Sequence, residues 1–257
     1  MLLAIDIGNT NSVFGIFDED RLLTHWRLTS AMTRTIDESW ITVKLLCQEG
    51  GVEPEALSGV IISSVVPNIT DVFTTMSETY LDTRATIVDA DLPVDLEIKY
   101  RNPGEVGADR ICNAIAGKTF YDVPQVIIDF GTATTFDVLN GSGAYVGGVI
   151  MPGFEVSSRD LFRRAARLFK VEYHFPEKVI GDTTETSLQS GILYGAVDAI
   201  NGILERIRGE LDVQDLDVIV TGGNGAMMRP HITGVTAFNP NLTLEGLRLI
   251  HEQIRNR

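Results

Sequence analysis

Two short turns, Asp6-Ile7-Gly8-Asn9-Thr10 and Asp129-Phe130-Gly131-Thr132-Ala133, share the order Asp-x-Gly followed by small polar residues, and each closes an apolar, strand-like run. Their surroundings repeat as well. Residues 2–7, 12–17 and 21–28 read as a strand meander, broken by the first turn and by Asp18-Glu19-Asp20. Residues 126–130, 135–139 and 144–150 read as a second meander, broken by the second turn and by Asn140-Gly141-Ser142-Gly143. The copies begin almost half a chain apart. A chain with this repeat is expected to fold as an α/β protein of two duplicated halves, and ligands then favour the cleft between the halves and the turns at strand ends.

The segments between the turns support that plan. Thr35 with Glu38 is a capping-box pattern ahead of a helix that Gly50-Gly51 ends. Residues 59–66 are β-branched enough for a buried strand, 69–81 read as a helix and 85–88 as a short strand. In the second half, residues 217–221 form a strand ending in Gly222-Gly223-Asn224-Gly225, placed as 59–66 is in the first. Helices are expected at 156–169, 187–210 and 243–255.

Glycine in an Asp-x-Gly turn lets the backbone approach a phosphate, while neighbouring N–H groups and Thr or Asn side chains donate to its oxygens. The Asp suits a cation held beside those phosphates, directly or through water. One such turn alone could be a hairpin whose Asp bonds its own backbone; two at duplicated positions favour the phosphate reading. Neither turn contains Lys or Arg, nor does 221–225. Phosphate charge there must be met by backbone dipoles and by cations from solution, Mg²⁺ foremost, with a monovalent cation assisting.

A third constellation runs from Tyr100 to Arg110. The apolar spacing of Ile111, Ala114 and Ile115 places Asp109 and Arg110 in the first turn of a helix. A carboxylate is favoured at that positive end and a cation is not, so the pair suits a site where Asp accepts a hydroxyl proton and Arg faces an anion.

Composition removes other classes. With 21 Lys and Arg against 35 Asp and Glu, the net charge of −14 argues against nucleic acid or an anionic membrane surface as partner. Cys47 and Cys112 give no disulfide framework, and the four His show no zinc spacing. No apolar stretch is long enough to span a membrane. The chain reads as cytoplasmic. Ala116-Gly117-Lys118-Thr119 resembles the tail of a Walker loop but falls late in a helix, and Gly141-Ser142-Gly143 with Gly147 misses dinucleotide-loop spacing. Cys47 reads as packing, and Arg159, Arg163, Arg164 and Arg167 as a solvated helix face or part of a subunit interface.

The turn at residues 6–11, Gly107-Ala108-Asp109-Arg110, the stretch 129–135, Gly147-Gly148-Val149-Ile150-Met151-Pro152-Gly153 and Ser187-Leu188-Gln189-Ser190-Gly191 resemble, in order, the motifs of type III pantothenate kinase. That family lies in the acetate kinase, sugar kinase, Hsp70 and actin superfamily. The resemblance implies two ribonuclease-H-like (actin-like ATPase) halves: 1–118 with the first phosphate turn and the general base, and 119–257 with the second phosphate turn, an adenosine-side glycine turn and the dimer interface. It implies ATP-dependent phosphorylation of pantothenate, the first step of coenzyme A synthesis. ATP would be held by Asp6, Ile7, Gly8, Asn9, Thr10, Asn11, Ser12 and Val13, with Thr132. Asp6 would hold Mg²⁺ through water, and Asp129 would hold K⁺ or NH₄⁺. Pantothenate would meet Tyr100, Gly107, Ala108, Asp109, Arg110 and Thr184, with Asp109 as base and Thr184 supplied across a homodimer. The family often shows Gly-Lys-Asn-Thr where this chain has Gly181-Asp182-Thr183-Thr184, which alters the contacts near that shared site. A Bvg accessory factor-type regulator and a kinase for another small molecule are the alternatives in the same superfamily.

Overall fold

The computed structural model describes residues 1–30, 33–165 and 167–257, which divide into two units: Met1–Phe120 with Asn241–Arg257, and Tyr121–Pro240. In chain order the first unit contains strands β1 (Leu2–Ile7), β2 (Asn11–Asp18) and β3 (Arg21–Thr29), helix α1 (Ile36–Glu49), β4 (Gly59–Ser64), α2 (Pro67–Leu81), β5 (Thr86–Ile87) and α3 (Ala108–Phe120). The second contains β6 (Gln125–Phe130), β7 (Ala133–Leu139), β8 (Tyr145–Pro152), α4 (Phe154–Arg164), α5 (Thr184–Leu211), β9 (Asp217–Thr221), α6 (Gly225–Met228) and β10 (Val235–Phe238). Helix α7 (Leu242–Arg255) then rejoins the first unit.

The duplication is explicit in the strand orders. One sheet runs β3-β2-β1-β4-β5, and the other runs β8-β7-β6-β9-β10. In each, an antiparallel meander is extended by two parallel strands beside its first member. The registers agree at the key residue: Asp6 pairs with Val13 and Ser63, and Asp129 pairs with Thr135 and Thr221.

Side-chain alternation gives the first sheet two faces. Leu3, Ile5, Ile7, Phe14, Ile16, Val60 and Ile62 bury against Val43 and Cys47 of α1 and Ile69, Phe73 and Met76 of α2. Thr35 caps α1 in a full capping box with Glu38, as the sequence pattern predicts. Cys47 is core, and burial pushes its thiol up to about 11. The opposite face receives α7, which packs on α3, β1, β2 and β4. Two glycines let the layers approach, and at Gly246 nothing larger fits. A Cβ at Gly15 would come within 3.0 Å of the Leu244 side chain, and one at Gly246 would overlap the Cys112 carbonyl.

In the second unit, Val126, Ile128, Phe136, Val138, Val218 and Val220 bury against Leu193, Val197, Ile200 and Leu204 of α5. The long α5 begins at a Thr183–Thr186 capping box and ends where Asp212 takes a left-handed conformation.

Two expectations change. Residues 243–257 were assigned to the second half, but α7 carries Leu244, Leu247 and Ile250 into the first unit, whose second sheet face needs an apolar cover. The helix expected over 156–169 runs from Phe154 to Arg164 only, and Ala166 lies outside the described residues. Its Arg163 and Arg164 are about three-quarters exposed and pair with Asp160, the solvated face the sequence suggested.

Candidate active site

In the first unit the Asp6 turn is fixed from several sides. Gly8 N–H donates to Asn11 O at 3.0 Å, and Ser30 Oγ donates to Gly8 O at 2.6 Å. Ser30 Oγ also lies 2.9 Å from Ser12 Oγ, and Ser30 N–H donates to Thr10 O at 2.9 Å. A turn so held presents its amides in one geometry, as anion binding requires. Asn9 and Thr10 are exposed, Asn11 and Val13 half-buried. Ile7 and Ser12 point into the core, so what they can offer a ligand is backbone. Arg34, a basic residue that the turn's own sequence does not contain, shares a small hollow with Ser12 and donates to Thr42.

Asp6 ends β1 on the face covered by α3. Ser63 Oγ donates to Asp6 Oδ1 at 2.9 Å. Cys112, on α3, is fully buried and feels both Asp6 and Asp109. Burial first, and then those two carboxylates, hold its thiol well above the ordinary range. Asp6 and Asp109 thus lie in the same unit.

Asp109 and Arg110 occupy the first turn of α3, as the spacing predicts. Asp109 Oδ1 accepts from Arg110 N–H at 2.9 Å, while Gly107 O accepts from Arg110 N–H and Ile111 N–H. A Cβ at Gly107 would sit 2.5 Å from Asp109 Oδ1, so this glycine makes room for the carboxylate. Asp109 is half-buried and Arg110 buried. Desolvation raises the Asp109 carboxyl, opposed by the backbone bond from Arg110 and by its guanidinium. A carboxylate shifted this way is a better proton acceptor than a solvated one. Ala108 is buried beside it, and Tyr100 is half-buried in the irregular stretch before α3.

In the second unit the turn after β6 closes differently, with Gly131 N–H donating to Ala133 O at 3.0 Å. Thr132 is exposed and its carbonyl accepts from Gly153 N–H at 3.2 Å, which explains the glycine after Met151-Pro152. Gly222, at φ +87°, lies so close that a Cβ would overlap Asp129 Oδ1 and the Phe130 backbone. Asn224, in the same glycine turn, donates to Glu155 Oε1 at 3.0 Å. The structure thus brings Asp129, Thr132 and the Gly222 turn together. Thr184 is exposed at the first turn of α5, where Gly181 fits because a Cβ there would overlap the Ser187 backbone. Ser30 and Ser63 have no motif of their own, while Asn224 falls in the glycine turn read at 222–225; the signal for Ser63 was its place after an apolar run.

Two five-stranded sheets of identical order, each with an Asp-x-Gly turn after its central strand, define the class: the duplicated fold of the actin-like ATPases and sugar kinases. A ROK hexokinase from Thermus thermophilus matches with a TM-score of 0.54 at 14% identity, over 100% of this chain and 99% of its own. A Campylobacter jejuni protein assigned to the Baf family of transcriptional activators matches with a TM-score of 0.61 at 19% identity, over 99% of this chain and 100% of its own. At those identities both establish the fold alone. The family follows from sequence. The type III pantothenate kinase model matches residues 2–206, and a type III pantothenate kinase from Thermomicrobium roseum is 42% identical over 254 residues, 99% of this chain and 98% of that protein. The chain belongs to the type III pantothenate kinase family.

Proposed function

We infer that the protein transfers the γ-phosphoryl group of ATP to the primary hydroxyl of pantothenate, giving 4'-phosphopantothenate and ADP in the first step of coenzyme A biosynthesis. Family membership supplies the reaction; the observation that carries it to particular side chains is Asp109. Its carboxyl is raised by burial, it is seated in the first turn of α3, and Gly107 leaves room for it. Phosphoryl transfer to an alcohol needs in-line positioning, neutralised charge and an acceptor for the hydroxyl proton. Asp109 takes that proton, and Arg110 faces substrate charge. Tyr100, Gly107, Ala108 and Thr184 complete the pantothenate contacts.

ATP phosphates are assigned to residues 6–13 and Thr132. Among the described residues no group of three or more His, Cys, Asp or Glu could hold a metal ion. Single carboxylates at turn ends suit hard cations that arrive with phosphate and keep most of their water. Asp6 fits Mg²⁺ through water and Asp129 fits K⁺ or NH₄⁺; bound there, the ions would neutralise phosphate charge that no basic side chain of either turn meets.

The protein is further read as a cytoplasmic homodimer whose pantothenate pocket is completed by the partner subunit's Thr184. In support, both cysteines are free and buried, as a reducing compartment permits, and the second unit leaves Ile150, Phe169, Val179 and Ile180 more than half exposed. No described helix is long and apolar enough to cross a membrane.

The deciding experiment measures ADP release with and without pantothenate, in Mg²⁺ with K⁺, NH₄⁺ or Na⁺. Release that pantothenate does not stimulate would overturn the assignment.

A further inference from the structure

We propose that Ser63 is a positioning residue for the phosphoryl-transfer site, its hydroxyl holding the Asp6 carboxylate in the one orientation that serves the cation of Mg·ATP. This rests on the reading of Asp6 above. Three observations carry it. The parallel register of β1 and β4 sets Ser63 directly opposite Asp6, so both side chains leave the sheet on the same face. Ser63 is fully buried, and its Oγ donates to Asp6 Oδ1 at 2.9 Å. The arrangement is also repeated: Thr221, 1% exposed, stands opposite Asp129 on the equivalent strand β9.

A buried hydroxyl directly after Val60, Ile61 and Ile62 contributes little apolar packing and is costly unless bonded. The bond to Asp6 accounts for it. A carboxylate at a strand end rotates about its last single bond. A donor fixed on one oxygen stops that rotation and sets the direction of the other. Hydrogen bonds behind a metal-serving carboxylate typically govern metal affinity in this way. Cys112 of α3, fully buried, is a second hydrogen-bonding neighbour of Ser63.

The test compares wild type, Ser63→Ala, Ser63→Thr and Asp6→Asn by calorimetric titration with Mg·ATP and with ATP in EDTA, alongside thermal melting. Ser63→Ala should weaken Mg·ATP binding by roughly 10- to 100-fold and leave metal-free ATP binding unchanged. Ser63→Thr should restore most of the loss. Equal binding of Mg·ATP by Ser63→Ala and wild type would refute the proposal, and so would an equal loss for both forms of the nucleotide, since that marks a purely structural serine. If Asp6→Asn also binds Mg·ATP as wild type does, the assignment of Asp6 itself has failed, and the two failures are told apart.

Discussion

Gly246 of α7 lies against the carbonyl oxygen of Cys112 on α3, so closely that any side chain at position 246 would overlap the neighbouring helix backbone. This contact locks the last helix described to the one that carries Asp109 in its first turn. Its loss should therefore be felt in the catalytic turn as well as in stability.

Gly246→Ala is expected to destabilise the protein by about 1–3 kcal/mol, the usual cost of overpacking, and to lower kcat by shifting α3. Gly191→Ala is the control. Position 191 lies in α5 with open space around its Cβ, so alanine there should be neutral or stabilising by up to about 1 kcal/mol. Thermal melts of the two variants should move in opposite directions or differ clearly in size.

Asp109→Asn would remove the proposed proton acceptor. A fall in kcat of about 10²- to 10⁴-fold is expected, with the fold intact by circular dichroism. Because burial raises the Asp109 carboxyl, the folded state holds that proton more tightly than the unfolded chain does. Its ionisation therefore costs stability as pH rises from the usual carboxylate range through the raised value. The variant should melt at neutral pH no lower than wild type. The acid limb of wild-type kcat/KM should lie above the ordinary carboxylate range, as a pH–rate profile would reveal.

On the reading proposed above, Asp129 would set a monovalent-cation requirement. Activity in Mg²⁺ should be low with Na⁺ and rise with K⁺ or NH₄⁺, and Asp129→Asn should give the same low rate in all three. A variant that still responds to K⁺ would move the cation elsewhere.

Thr35→Ala removes the N-cap of α1 and should cost about 0.5–2 kcal/mol in a denaturant titration. Glu38 belongs to the same box, and the Thr35 backbone N–H holds its carboxyl below the usual range. The Thr35 hydroxyl lowers it further, and only that share is lost in Thr35→Ala; it is present above the unfolded-state pKa and disappears as pH falls through the lowered folded value, so this part of the effect should fade in acid.

Much of this was legible before any coordinates. Apolar and β-branched runs bounded by turns marked nearly all the strands, and Thr35 with Glu38 marked the start of α1. The two Asp-x-Gly turns pointed to equivalent places in two sheets of one topology. Strand β10 went unseen because it is four residues long and lies between turns. The destination of α7 was hidden for another reason: its amphipathic face shows that it packs, and nothing local says on which sheet. Ser63 escaped because its role depends on the register of strands far apart in sequence.

The return of α7 has a consequence for synthesis. The unit encoded first cannot be finished first, because its second sheet face waits for residues 241–257. A nascent chain halted before Asn241 should expose Leu2, Ala4 and Ile61 beside Asp6, and be cut there by protease. The same chain released whole should resist. In this enzyme the Asp6 turn and Asp109 are made early on the ribosome and secured last.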